Sequence, residues 1–404
     1  MNKEIEIQGI CHPKFRKVRE VFFDNFRTEG EVGAALCIYQ DQQKVVDLWA
    51  GKQNLSPKTE WQENTTVPIF SVTKGLTSLC FLMLADREVF RYEDLVQKHW
   101  AEFSANGKET ITIQQLLEHK AGLHALEKKL HISDFWENPE VVYQALIRQK
   151  PAWKPGEKQG YGAQIWGAYA AELFQKIQGE SAGVFFAREV ANKLGLNLYI
   201  GLPDSEKKNV ALLYPVSNLM RILKLFPNIL TGKGSEGRAA WDLLFGRSEV
   251  KKAYMNPSMG LAGIKAFNDA VLHKQELLWA NAIGDARSLA KLFQILALGG
   301  GKQKEKLVSK QWIQRLSKKQ LLNYDLVIHK PMAWRYGFLK EELDTFSPNP
   351  ETFGHAGMGG SLVFADPKER LSFGYVCNAL DHRTRAPKTL KLCRALYSSI
   401  GQRT

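Results

Sequence analysis

Val67-Pro68-Ile69-Phe70-Ser71-Val72-Thr73-Lys74-Gly75 is the stretch on which the fold turns. Val67 to Phe70 is a short apolar run that reads as a strand, and Gly75 to Ala85 is a long apolar segment that reads as a buried helix. Ser71 therefore falls where a strand ends and a helix begins, close to the positive end of the helix dipole. Lys74 follows three residues later, so both side chains project from one face of the first turn. An amine beside a hydroxyl is one way to make a serine nucleophilic without a histidine. Ser205, Ser248 and Ser288 are also followed by Lys208, Lys251 and Lys291, but these pairs lie on polar or amphipathic faces. Only Ser71 has the strand, the turn and the buried helix around it.

The chain has 404 residues, more than one typical core holds, and 44% hydrophobic residues, an ordinary globular content. No apolar run approaches the roughly 20 residues that span a bilayer, so no stable membrane insertion is expected. Met1 to Glu6 has no apolar signal core, and Cys37, Cys80 and Cys377 sit in apolar surroundings that suit reduced thiols. A cytoplasmic location is expected on these grounds. The net charge is +13, with basic residues gathered in Arg148–Lys158, Lys302–Lys319 and Arg383–Arg394. None is an uninterrupted basic block or a nucleic-acid motif, so no nucleic-acid partner is expected.

In chain order, Pro13 to Arg27 has Phe15, Val18, Val21, Phe22 and Phe26 near helical spacing. Val32–Tyr39 and Lys44–Trp49 read as strands joined by a polar turn. Beyond the Ser71 helix, Thr112 and Gln115 form a capping-box pattern for a short helix that Gly122 is expected to stop. His119, His124 and His131 straddle that glycine turn without an acidic partner, so turn and surface roles are expected rather than a metal site. Trp153-Lys154-Pro155-Gly156 marks a turn, followed by Tyr161 and a helix over Ile165–Ile177. Gly179-Glu180-Ser181-Ala182-Gly183 matches Gly-x-Ser-x-Gly, but a helical pattern precedes it, so Ser181 reads as a turn between helices. Asp204 to Leu278 carries no defensible chemistry. Ala286–Leu298 reads as an amphipathic helix, Lys302–Gln320 as a charged, solvated one, and Thr389–Ile400 as a closing helix. Met332–Leu339, Ser361–Phe364 and Leu371–Cys377 read as strands. Strands at both ends of the chain then form one α/β domain from residues 1–75 and 281–404. Residues 76–280 form a mostly helical domain, with Ser71 at the junction.

A second glycine-rich stretch, Phe353-Gly354-His355-Ala356-Gly357-Met358-Gly359-Gly360-Ser361, precedes a strand. Its glycines let backbone approach a ligand closely. A strand edge there can present an N–H to an oxyanion, with the Ser71 N–H as the other donor. The bland alternative is a glycine hairpin with a surface histidine.

Taken together, Phe70 to Thr77, Ile111 to Leu117, Trp153 to Gly156, Gly160 to Ala163 and Gly354 to Pro367 resemble the β-lactamase-related serine hydrolases, and most of all the family VIII carboxylesterases. The matches occur in family order from about residue 12 to 395. The resemblance implies the β-lactamase/transpeptidase-like fold, an antiparallel sheet flanked by terminal helices with a helical insertion. It also implies Ser71 as the acylated nucleophile, Lys74 and Tyr161 as base and proton relay, and the N–H groups of Ser71 and Met358 as oxyanion hole. His355, Gly357 and Gly359 would line the substrate site. The chemistry requires no metal or organic cofactor.

Two departures from the family pattern bear on substrate. Ala163 stands where a lactam-hydrolysing enzyme usually has asparagine, and His355 stands where it has lysine. Histidine is mostly neutral at pH 7, so recognition of a substrate carboxylate should weaken. A small-molecule ester is the expected substrate, with Trp153, Trp166, Trp334 and Tyr336 available to an apolar acyl pocket. The alternatives are a β-lactamase, D-aminopeptidase or acyltransferase on the same site, or a scaffold protein that has kept only the fold.

Overall fold

The computed structural model describes residues 5–216, 238, 241–242, 248–341, 346–383 and 385–401. Residues 1–4 of the N-terminal reading and 217–237, 239–240 and 243–247 of the uninformative middle lie outside these. The main sheet is built from β1 (Gln8–Cys11), β2 (Gly33–Gln40), β3 (Gln43–Leu55), β4 (Asn323–Asp325), β5 (Lys330–Arg335), β6 (Phe338–Glu341), β7 (Phe353–Ala356), β8 (Leu362–Asp366) and β9 (Leu371–Cys377). Their spatial order is β1-β3-β2-β9-β8-β7-β6-β5-β4, every pair antiparallel, with Lys58–Glu60 added to the far end of β3. The two ends of the chain meet at its centre, where β2 pairs with β9 from Gln40↔Leu371 to Ala34↔Cys377.

Alternation along these strands sorts side chains onto two faces. Leu36, Ile38, Phe364, Phe373 and Tyr375 pack with α1 (Arg16–Thr28) and the closing α5 (Pro387–Ser399), through Phe22, Phe26, Leu392 and Leu396. Cys37, Val363, Ala365 and Val376 point the other way, towards α2 (Val72–Asp86) and α4 (Ala286–Ala297). α4 lies close on β9 because of Gly374, where a Cβ would come 2.5 Å from the Ala286 carbonyl oxygen.

Helix α2 is the centre of that second core. Every residue from Val72 to Ala85 is buried, as expected of a helix apolar all round. It crosses the expected domain boundary at residue 75. Gly75 lets it approach β7: a Cβ there would stand 3.2 Å from the His355 Cβ. Thr77 Oγ1 donates to the Thr73 carbonyl (3.0 Å), and Ser78 Oγ donates to that of Lys74 (2.7 Å). Both hydroxyls are satisfied without water, which allows them inside an apolar environment.

Several expected elements are corrected. Met332–Leu339 is not one strand but a hairpin, turning at Tyr336 (φ 51°) and Gly337 (φ 87°). Strand β7, which carries His355, was hidden by its glycine-rich surroundings. Within Lys302–Gln320 only Lys310–Ser317 is a longer helix, and it buries Ile313 and Leu316. The capping box at Thr112 and Gln115 forms in both directions, at 3.1 and 3.0 Å. The helix it starts, α3 (Ile113–Leu117), ends before Gly122. Its stop is His119, in the left-handed region at φ 61°. No helix among the described residues is long and apolar enough to cross a membrane.

The packing of α2 is testable at Phe81, which is fully buried and edge-on to Phe90 and to Phe174 at 6.0 and 5.2 Å. Phe81→Ala should lower the unfolding free energy by about 3–5 kcal/mol in urea denaturation. A loss below about 1 kcal/mol would mean that the site around it collapses freely.

Candidate active site

The chain enters α2 through a strained residue. Phe70 has φ 48°, a conformation that costs a non-glycine residue about 1–2 kcal/mol. Its ring packs on Phe267 at 5.0 Å, and its carbonyl accepts from the Thr73 N–H (2.9 Å) and hydroxyl (2.6 Å). The kink places Ser71, half-buried, at the very start of the helix with φ −63°. Among the described residues the Ser71 N–H donates to no protein acceptor.

Three groups predicted from sequence meet here. The Tyr161 hydroxyl donates to Ser71 Oγ at 2.9 Å, and Lys74 Nζ lies 3.4 Å from the same oxygen. Lys74 is fully buried; its Nζ also donates to the Ala163 carbonyl (2.8 Å) and the Trp279 carbonyl (3.1 Å). Burial holds its pKa well below the ordinary lysine value, because a cation without water is costly. Burial moves the Tyr161 phenol the other way, above its usual range, against the opposing effect of the bond to Ser71. Lys74 is thus biased towards the neutral amine while Tyr161 keeps its proton.

His355 is only 2% exposed and lies behind this group rather than on an open wall. Its Nδ1 is 2.9 Å from the Ala356 carbonyl, its ring is 5.5 Å from that of Trp334, and its Nε2 is buried with no hydrogen-bond partner among the described residues. Burial, with the nearby Lys74 charge, pushes its pKa down to about 3, so the imidazole is neutral. After β7 the glycine loop folds back on Ile69, which links the short strand Val67–Pro68, two residues shorter than the sequence predicts, to Ser71. A Cβ on Gly357 would fall 2.4 Å from the Ile69 carbonyl oxygen, and one on Gly359 2.5 Å from Leu380 Cδ2. Packing against protein therefore demands both glycines. The loop is tied from behind by Thr389 Oγ1, which donates to the Gly360 carbonyl (2.7 Å). Beside it the Lys388 ammonium is buried on Glu31 at 2.9 Å. Met358 sits at the tip, partly exposed, its N–H without a protein acceptor among the described residues.

Other expected roles change. His119 and His124 are buried, 4% and 3% exposed, not on the surface; His131 is exposed as expected. His119 packs on Tyr161 at 4.9 Å between ring centroids, and Trp334 stacks on that phenol at 5.5 Å and 12°. Trp166, Trp334 and Tyr336 are buried packing residues, 3%, 2% and 5% exposed, rather than lining for an acyl pocket. Asp325 had no signal in the sequence, yet it is fully buried and accepts from the N–H groups of Tyr161, Val327 and Ile328 at 3.1, 3.0 and 3.0 Å. Ser181 is a helix cap whose hydroxyl donates to Glu276 (2.8 Å), with no part in this site. Among the described residues no cluster of His, Cys, Asp or Glu is placed to hold a metal ion.

The family model described as Beta-lactamase matches residues 20–393. The chain belongs to the beta-lactamase family. Among its relatives is LipL of Mycobacterium tuberculosis, described as an esterase/beta-lactamase. It is 27% identical over 377 residues, which cover 92% of this chain and 83% of LipL. The structure of a family VIII carboxylesterase is 32% identical with a TM-score of 0.81, over 98% of this chain and 100% of that one. A penicillin-binding protein homologue from Caulobacter crescentus is 30% identical with a TM-score of 0.84 over the same shares. The beta-lactamase-family fold and these relatives make the chain a serine hydrolase acting on small molecules.

Neutral, buried histidines in this hydrolase give its stability a direction with pH. His355 is pushed from the ordinary 6.5 to about 3, so between these values the unfolded chain binds a proton that the folded one does not. The associated stability is complete above pH 6.5 and is lost as pH falls towards 3; His119 is depressed in the same direction. Each such group steepens the acid limb by up to about 1.4 kcal/mol per pH unit. Urea titrations from pH 7 to 4 should give His355→Gln a slope shallower than wild type by about that amount. Equal slopes would mean that His355 titrates normally in the folded protein.

Proposed function

We propose that the chain is a carboxylesterase that works through an acyl-Ser71 intermediate. The observation that carries this reading is the convergence of the Tyr161 hydroxyl and the Lys74 amine on Ser71 Oγ, at 2.9 and 3.4 Å. A neutral lysine has two N–H bonds and one lone pair. With the N–H bonds taken by the Ala163 and Trp279 carbonyls, the lone pair is left for the Ser71 proton.

In the proposed cycle Ser71 Oγ attacks the ester carbonyl as its proton passes to Lys74. The carbonyl oxygen becomes an oxyanion between the N–H groups of Ser71 and Met358, at the positive end of α2. The carbon–oxygen bond to the alcohol breaks, and the alkoxide takes the Lys74 proton by way of Tyr161. The alcohol leaves and the acyl group stays on Ser71. Water then attacks the acyl carbon, gives a proton back along the same path, and frees the carboxylic acid and Ser71. Tyr161 is the relay rather than the first base in this reading, since burial keeps its phenol protonated.

An ester is favoured over a lactam by the neutrality of His355, which offers no cation to a substrate carboxylate. The absence of an amide side chain at Ala163 supports the same choice, as does the carboxylesterase among the structural relatives. The name of LipL keeps lactam hydrolysis as a second reading. A panel of p-nitrophenyl esters and nitrocefin separates them. Short-chain esters should be hydrolysed, and Ser71→Ala should reduce kcat/KM at least about a thousandfold. Nitrocefin should turn over at least about a hundredfold more slowly. A Ser71→Ala variant at wild-type rate would remove Ser71 as nucleophile, and faster turnover of nitrocefin than of any ester would replace the substrate assignment.

A further inference from the structure

Tyr161 is flanked by Gly160 and Gly162, so its backbone is among the least constrained that a chain can offer. Yet each of the N–H groups from 160 to 162 is held from outside the segment. The Gly160 N–H donates to the His119 carbonyl (3.0 Å), the Tyr161 N–H to Asp325 Oδ1 (3.1 Å) and the Gly162 N–H to His119 Nδ1 (3.2 Å). One histidine thus grips both sides of the tyrosine, and its ring packs on the phenol between them.

His119 takes an unusual backbone conformation to do so. It closes the helix Ile113–Leu117 in a paired arrangement, with the Lys120 N–H on the Gln115 carbonyl (2.8 Å) and its own N–H on that of Leu116 (3.4 Å). The residue at this left-handed position is usually glycine, or sometimes asparagine. Neither brings an imidazole; glycine offers no side-chain acceptor. Because Nδ1 accepts from Gly162, the ring proton belongs on Nε2, and His119 can neither give nor take a proton at Ser71 through Nδ1.

We infer that His119, together with Asp325, is a positioning residue that holds the Tyr161 hydroxyl against Ser71 by fixing the backbone on either side of it. This inference rests on the reading of Tyr161 as proton relay. A displacement of about 1 Å at a reacting group can cost on the order of a hundredfold in rate.

The test is kcat and KM for a p-nitrophenyl ester in wild type, His119→Gly, His119→Asn, Tyr161→Phe and the His119→Gly/Tyr161→Phe double variant. Glycine suits the left-handed backbone but removes the acceptor; asparagine suits it and places an amide oxygen near the Nδ1 position. His119→Gly should lose roughly tenfold to a hundredfold in kcat with KM little changed, and His119→Asn should recover most of it. On the Tyr161→Phe background the glycine substitution should cost less than about twofold, since a residue acting through the phenol has nothing left to position. Should His119→Gly not fold, His119→Gln, which fills the space without an acceptor at that point, takes its place. Equal losses for glycine and asparagine, or an undiminished loss on the Tyr161→Phe background, would overturn the inference. If Tyr161→Phe collapses while His119→Gly keeps the wild-type rate, the positioning role alone fails. If Tyr161→Phe keeps the wild-type rate, the relay reading fails and takes this inference with it.

Discussion

The molecule is arranged around an amine that water cannot reach. An ammonium in an apolar interior is stable only with close partners or with its proton shed. Lys74 meets this constraint with two backbone carbonyls, one from the Tyr161 loop and one from the segment before α4. Those carbonyls can be supplied only if α2 is enclosed on every side. The fully buried helix, the strained entry at Phe70 and the polar cross-link from Thr77 to the Leu278 carbonyl are different parts of the same enclosure.

Close backbone approach is the second requirement, and small residues provide it where helix, sheet and loop converge. Gly75 admits β7 to the nucleophile helix, and Gly357 admits the loop to Ile69. The Tyr336-Gly337 turn does the same from below, since a Cβ on Gly337 would strike Ser78. Each approach sets the position of a backbone rather than of a side chain. A site that works through N–H groups and carbonyls needs that kind of precision.

This explains how much could be read in advance. Ser71 and Lys74 were legible because their relation is local: three residues on one helical turn. Tyr161 and the overall fold followed from motifs in a fixed order. The sheet hairpin at β2 and β3 was legible from alternation. What escaped depends on partners far away in sequence. His119 reads as a surface turn residue because its packing comes from residues 160–162 and from Trp334. Asp325 gave no signal because its task is to accept backbone N–H groups, which every residue has. The Trp279 carbonyl is invisible in any sequence for the same reason. The turn at Tyr336 is illegible in the sequence because a bulky residue occupies a conformation that usually announces itself with asparagine or glycine.

The central pairing of β2 with β9 sets an order of events in the making of the protein. Ala34 finds its neighbour Cys377 only after all the chain between them exists. The nucleophile helix leaves the ribosome, apolar on every side, long before α4 and the later strands that cover it. Contacts so distant in sequence form slowly, and an exposed apolar helix is liable to aggregate in the interval. A ribosome-bound fragment ending before β7 would carry Ser71, Lys74 and Tyr161 and still lack a wall of its site. The site is therefore complete only once β7 has paired with β8, and the enclosure that lowers the Lys74 pKa waits on the same event.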